Sequence, residues 1–159
     1  MSVYLSDRGE NKFDVLIKAR ELAVYTIKIT HNKNVFSDYD SVVNDLQKLG
    51  KDIFIELWYA NNCDLRSESE LRLQYQKKAI RDCYALLATI QLAQPLYHLK
   101  LKRVEYWSRM IINVRDLTRK WRDSDKKRIA SAKKKYIKHN GIQANTECPF
   151  AVRESWQCQ

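Results

Sequence analysis

Glycine and proline together supply five of the 159 residues of this chain, far below the roughly 12% of an average protein. Tight turns, left-handed positions and strand bulges draw on those two residues. A chain this poor in them is constrained to long helices joined by few connections. At this length one domain is expected, with roughly 70% of the unfolded surface buried. Hydrophobic residues make up 45% and charged residues 30%, which suits a helical bundle with a solvated exterior. No run of about 18 apolar residues is present, so no membrane span is expected. The opening Met1–Asp7 lacks the basic-then-apolar order of a secretory leader.

Four helical stretches follow from apolar spacing. The first runs from about Phe13 to Ile29, with Val15, Ala19, Leu22, Thr26 and Ile29 on one face. The second is predicted to open at Ser37, with Asp40 three residues on as a weak capping box. Its stripe is Tyr39, Val42, Val43, Leu46, Leu49, Ile53, Leu57 and Ala60. Gly50 inside it costs about 1 kcal/mol relative to alanine, and close approach of a neighbouring helix would explain it. The third is predicted to start at Ser67, with Glu70 completing a capping box. It carries one line through Leu73, Ile80, Tyr84 and Leu87 and another through Tyr75, Ala79 and Leu86. Pro95 should end it or kink its last turn.

The fourth helix begins near Lys102. Val104, Trp107, Ile111, Val114, Thr118 and Trp121 alternate steps of three and four, the seam of a helix in a near-antiparallel bundle. Beyond Trp121 the pattern thins to Ile129, Ala132 and Tyr136, so a fraying helical extension stopping near Gly141 is expected. The joins are short, which favours sequential antiparallel neighbours. The resulting expectation is an all-α, up-down-up-down antiparallel four-helix bundle over residues 13–122. A flexible N-terminus over 1–12, a basic helical extension over 123–140 and a flexible tail over 141–159 complete it. Phe150 and Trp156 in that tail are candidate docking residues.

Charge is distributed very unevenly along this scheme. Residues 100–139 hold 15 Lys/Arg against 4 Asp/Glu, a net of +11, while the remainder holds 14 against 15. On a helical wheel of about 100° per residue, Arg115, Arg119, Arg122 and Lys126 form one line, roughly 80° from the tryptophan seam. Lys102, Arg109, Lys120 and Lys127 form a second line pointing away from it. Arg103, Arg128 and the run Lys133, Lys134, Lys135 add to the same segment. Asp116 with Lys120 and Asp123 with Lys127 are expected i,i+4 pairs, about 0.3–0.5 kcal/mol each. Counterion release rewards such a concentration when phosphates are the ligand, and the arginine fork suits phosphate oxygens. A helix-turn-helix, zinc-finger or RNP signature is lacking, so backbone contact is the expected mode, with nucleic acid as the partner. An acidic protein partner is the alternative. A membrane-surface role is weaker, because residues 126–138 carry few large apolar side chains.

Catalysis finds little support. A glycine-rich phosphate loop, an H-E-x-x-H motif and a G-x-S-x-G elbow are all missing, and an enzyme is not expected. No cofactor or metal site is expected either. His31, His98 and His139 fall at helix ends or in the basic segment. Cys63 and Cys83 read as small buried hydrophobes; Cys148 and Cys158 lie in the tail, without C-x-x-C spacing. The reading is a reducing, cytoplasmic compartment. Trp58, Trp107 and Trp121 read as core or interface, and Tyr25 and Phe54 as material for a subunit contact.

The order of helices, the turn Ala60-Asn61-Asn62 and the segment carrying Tyr106, Trp107, Ile111, Val114, Leu117, Lys120 and Trp121 resemble one superfamily. It comprises the four-helix-bundle proteins of ribosomal RNA intervening sequences and the accessory variability determinant (Avd) of diversity-generating retroelements. The resemblance spans roughly Phe13 to Arg122 and is strongest from Ala79 to Trp121. It implies a homo-oligomer, a basic pentameric barrel, that binds a reverse transcriptase and its template RNA or cDNA in support of mutagenic copying. Within it, the cations of the fourth helix would be the docking positions. An interaction protein of the ribosomal intervening-sequence type, binding an acidic partner, is the other function the superfamily offers.

Overall fold

The structure, a computed structural model, describes residues 10–36 and 39–140, with side chains over 14–36 and 39–137. The expected cap at Ser37, most of the loose N-terminal dozen and the whole tail with Cys148, Phe150, Trp156 and Cys158 lie outside the described residues. Four helices follow one another: α1 (Glu10–Thr30), α2 (Asp40–Asn62), α3 (Ser69–Leu96) and α4 (Leu101–Asn140). α1 packs on α2, α2 on α3, α3 on α4 and α4 back on α1, with no close approach across either diagonal among the described residues. This is a four-helix bundle. At about 1.5 Å per residue, the 40 residues of α4 extend about 60 Å, against about 42 Å for α3.

The predicted seam of α4 is buried without exception from Val104 to Trp121. Val15, Ala19, Leu22 and Thr26 of α1 and Leu46, Ile53, Leu57 and Ala60 of α2 face it or flank it. Trp107 is fully buried and donates its indole N–H to Thr26 Oγ1 at 3.0 Å. That bond satisfies the one polar atom of the largest core side chain. Gly50 lies against the same threonine. A Cβ there would meet Thr26 Cβ and Cγ2 at 3.1 Å, so its place in the middle of α2 is close helix–helix approach.

Neighbouring helices meet at a series of specific contacts. Thr26 and Thr30 of α1 meet Gly50 and Gln47 of α2 in reverse order. On α2 and α3, Glu56 pairs with Lys78, the Tyr59 ring lies 5.4 Å from that of Tyr75, and the Ala60 carbonyl meets Arg72. On α3 and α4, Arg72 and Gln76 meet Asp125, while Tyr84 meets Arg119.

The helix ends depart from the expected caps. α2 starts at Asp40 behind Tyr39, a left-handed residue at φ 60°. Tyr39 is exposed rather than part of the stripe, and its carbonyl accepts the Tyr97 hydroxyl at 2.9 Å. Before α3 the box is built on Asp64, not on Ser67 and Glu70. Asp64 Oδ1 accepts from the amides of Arg66 and Ser67 and from the Ser67 hydroxyl, and Glu68 reaches back to the Asp64 amide. These amide bonds hold the Asp64 carboxyl below its ordinary range. Pro95 sits within the last turn of α3, which closes after it. His98 takes φ 48° and the Leu99 amide bonds the Gln94 carbonyl, a Schellman closure that uses histidine where glycine is usual.

The packed part of α4 does not stop at Arg122. Asp125 is fully buried and Ile129 nearly so, extending the seam by two further steps. α1 likewise begins at Glu10, earlier than expected.

Candidate nucleic-acid interface

Three angular sectors of α4 carry the predicted cations. Arg115, Arg119, Arg122 and Lys126 line the border with α3. Lys102, Arg109, Lys120 and Lys127 face away from the bundle. Arg103 and Arg128 fall on the opposite flank, toward α1 and its Tyr25, whose hydroxyl burial pushes above its ordinary range while the Arg103 charge opposes. Past Ile129, Lys133, Lys134 and Lys135 are all exposed and step about 100° apart, so they encircle the helix instead of lining one face. The sequence-predicted set is therefore one continuous helix but several surfaces.

Their free charge is unequal. Arg115 is mostly covered, its side chain 19% exposed, and it pairs with Asp116 at 2.8 Å. Hydrogen bonding and charge from each raise the arginine and lower the aspartate from their ordinary ranges. Arg122 is also mostly covered and lies 3.9 Å from Asp123. In place of the expected pairs Asp116–Lys120 and Asp123–Lys127, the carboxylates pair with the arginines that precede them in sequence. Arg109 stands 4.0 Å from Glu105, with both side chains in solvent, where an ion pair is worth little. Lys102, Lys120, Lys126 and Lys127 are exposed with no carboxylate in ion-pair range among the described residues. These, with Arg119 and the exposed Lys133, Lys134 and Lys135, carry uncompensated charge.

The α3–α4 border contains a residue that the apolar spacing assigned to the core. Tyr84 is 45% exposed. The guanidinium carbons of Arg115 and Arg119 lie 5.4 and 5.6 Å from its ring centroid, and Arg119 Nη2 donates to its hydroxyl. Seven buried residues of α3, Arg72, Gln76, Ala79, Cys83, Leu86, Ile90 and Ala93, follow one another at steps of four and three, and Ile80 of the predicted line is buried beside them.

Two of those seven are polar, and they account for the longer packed length of α4. Arg72 Nε donates to Asp125 Oδ2 at 2.7 Å and Gln76 Nε2 donates to the same oxygen at 2.8 Å. Arg72 Nη1 donates to the carbonyls of Ala60 and Cys63 at 2.8 and 3.0 Å. These are terminal carbonyls of α2 that the helix leaves without partners. The same guanidinium lies 4.9 Å over the Trp121 ring. One cluster therefore ties together the end of α2, the start of α3 and the third quarter of α4. Sequence reasoning passed over it, although the signal was present: Asp125 continues the steps of the Trp107–Trp121 seam, and Arg72 and Gln76 continue those of Ala79–Ala93.

Cys63 and Cys83 are buried thiols, and burial pushes Cys83 up to about 12. Among the described residues, no His/Cys/Asp/Glu group could hold a metal ion, and no helix is long and apolar enough to cross a membrane. What this surface can do is hold polyanions along an exposed cationic helix. No protein family, curated protein or solved structure matches the chain.

Proposed function

We propose that this chain is a non-enzymatic accessory protein of a diversity-generating retroelement, binding the reverse transcriptase and its template RNA or cDNA through the cationic sides of α4. In this reading the bundle is up-down-up-down and antiparallel, as the opposed contact registers support. Residues past Ile129 form its basic helical extension, and the chain works in the cytoplasm as a homo-oligomer. The pentamer and the polymerase partner come from the resemblance carried by Ala60-Asn61-Asn62 and the Tyr106–Trp121 segment. The observation that carries the polyanion reading is charge without compensation. A near-neutral body holds a net of +11 in residues 100–139, and five of the cations there, Lys102, Arg119, Lys120, Lys126 and Lys127, are exposed and unpaired with any carboxylate among the described residues.

The deciding experiment measures structured RNA binding by the full chain across a salt titration, together with co-purification of a retroelement reverse transcriptase. Affinity should fall linearly on a log–log scale with salt, at a slope of about −0.7 to −0.9 per phosphate neutralised. Reversing Arg119, Lys120 and Lys126 to glutamate should flatten that slope and abolish binding at moderate salt, with helical content unchanged. Arg115 and Arg122 are poorer choices, since each is largely covered and faces an aspartate. Salt-independent or absent RNA binding, with retention of an acidic protein instead, would favour the interaction-protein alternative.

A further inference from the structure

A rod of cations attracts any nucleic acid equally; the α3–α4 border has a feature that does not. Resting on the polyanion reading, we infer that Tyr84 is a stacking platform for an unpaired base and that the border takes single-stranded RNA or DNA in preference to duplex.

Tyr84 lies on the surface although it starts from an apolar line, with nearly half of its side chain in solvent. Arg119 holds the phenol hydroxyl, and two guanidinium carbons sit within 6 Å of the ring centroid. The ring is thus fixed before any ligand arrives, which lowers the ordering cost of binding. Arg115 is neutralised by Asp116 and serves as support. Arg119 has no carboxylate in ion-pair range among the described residues, so its charge is available next to the ring. Because Gln76 meets Asp125 while Tyr84 meets Arg119, α3 and α4 run in opposite senses. Arg81, one turn before Tyr84 and exposed, therefore lies toward the same end as Arg122 and Lys126. A base on Tyr84 would have cations from both helices beside its neighbouring phosphates.

The chemistry separates strands from duplexes. Single-strand binders combine a positive groove with aromatic faces, and each stacked base contributes about 1–3 kcal/mol. A duplex keeps its bases stacked on one another and offers the border phosphates alone. Sequence preference is not expected, since every base presents a π-face.

The test compares the full-length protein with Tyr84→Phe, Tyr84→Leu and Tyr84→Ala. Anisotropy is measured on an oligouridylate and on a duplex RNA with the same number of phosphates, at one salt concentration. The leucine and alanine variants should lose at least about fivefold on the single strand, the factor that about 1 kcal/mol of stacking gives, and less than about twofold on the duplex. Phenylalanine keeps the π-face and loses only the Arg119 bond, so on the single strand it should lose less than the leucine variant does. The leucine variant keeps apolar bulk against α4, so a folding defect in the alanine variant leaves the comparison intact. Equal losses on both ligands, or no loss with leucine, would overturn stacking while leaving polyanion binding in place. A native protein that binds neither ligand would overturn both.

Discussion

Replacing Asp125 by alanine should be among the most damaging single changes in the chain, although the residue lies among lysines and arginines that invite a surface reading. Its carboxylate is fully buried, and the Arg72 side chain it meets at 2.7 Å is 5% exposed. Removing one partner of a buried ion pair strands the other charge and typically costs about 3–5 kcal/mol. Here Gln76 would lose its acceptor as well. That is a large part of the roughly 5–15 kcal/mol that holds a domain folded. Asp125→Asn keeps the shape and an acceptor oxygen but not the charge, so its loss should be smaller. The informative comparison is the cycle of Asp125→Leu, Arg72→Met and the double variant, by denaturant unfolding of the full chain. Arg72→Met also frees the carbonyls of Ala60 and Cys63, so the double should recover only part of the sum. A coupling energy of about 2 kcal/mol or more is expected, within the span known for contacting residues. Single losses under about 1 kcal/mol, or losses that add, would refute the idea that this cluster joins α4 to α2 and α3. Hydrogen exchange provides a second readout: amides of residues 122–132 should lose protection in Asp125→Leu, whereas those around Trp107 should not.

Three further outcomes follow from the packing. Trp121→Ala removes a ring that is 4% exposed and supports Arg72; it should cost about 3–5 kcal/mol and combine non-additively with Asp125→Leu, as read by unfolding midpoints. Gly50→Ala gains about 1 kcal/mol of helix propensity but places a methyl 3.1 Å from Thr26 Cβ and Cγ2, where overpacking costs about 1–3 kcal/mol. The melting temperature should therefore fall, and fall less in a Thr26→Ser background that lacks Cγ2. The Asp82 carboxyl is pushed up chiefly by burial and further by Asp52 and Glu56, with Lys78 opposing. Ionisation there opposes folding, so its penalty is present above the raised value and vanishes as pH falls toward 3.8. Asp82→Asn should melt above the native protein at pH 7 and converge with it near pH 4; a constant offset across that range would count against the assignment.

How much of this could be read in advance depended on whether the seam was apolar. The four helices, the α4 seam from Val104 to Trp121 and the role of Gly50 were legible, because apolar side chains at steps of three and four have one reasonable place to go. The caps were less so. Ser67 with Glu70 and Asp64 with Glu68 are both plausible boxes two to three residues apart, and the winner is decided by where α2 delivers the chain. Tyr84 was misplaced because a tyrosine on a line with Ile80 and Leu87 is counted as apolar, while its hydroxyl can be held at the surface by an arginine from another helix.

Arg72, Gln76 and Asp125 show the limit most clearly. Each continues a seam in correct phase, yet each is a residue type that spacing arguments discard, since burying any one of them alone is prohibitive. Only the three together, with two open carbonyls at the end of α2, make the site tolerable, and that conjunction exists between helices rather than within one. The consequence reaches the proposed function. If α4 were released at Arg122, Lys126, Lys127 and Arg128 would move with a loose tail and present no fixed surface. Held at Asp125, they project from a helix whose rotation about its axis is set by the core. A polyanion meeting them finds cations already positioned, and the carboxylate that contributes most to that arrangement is the one that carries no charge to the surface.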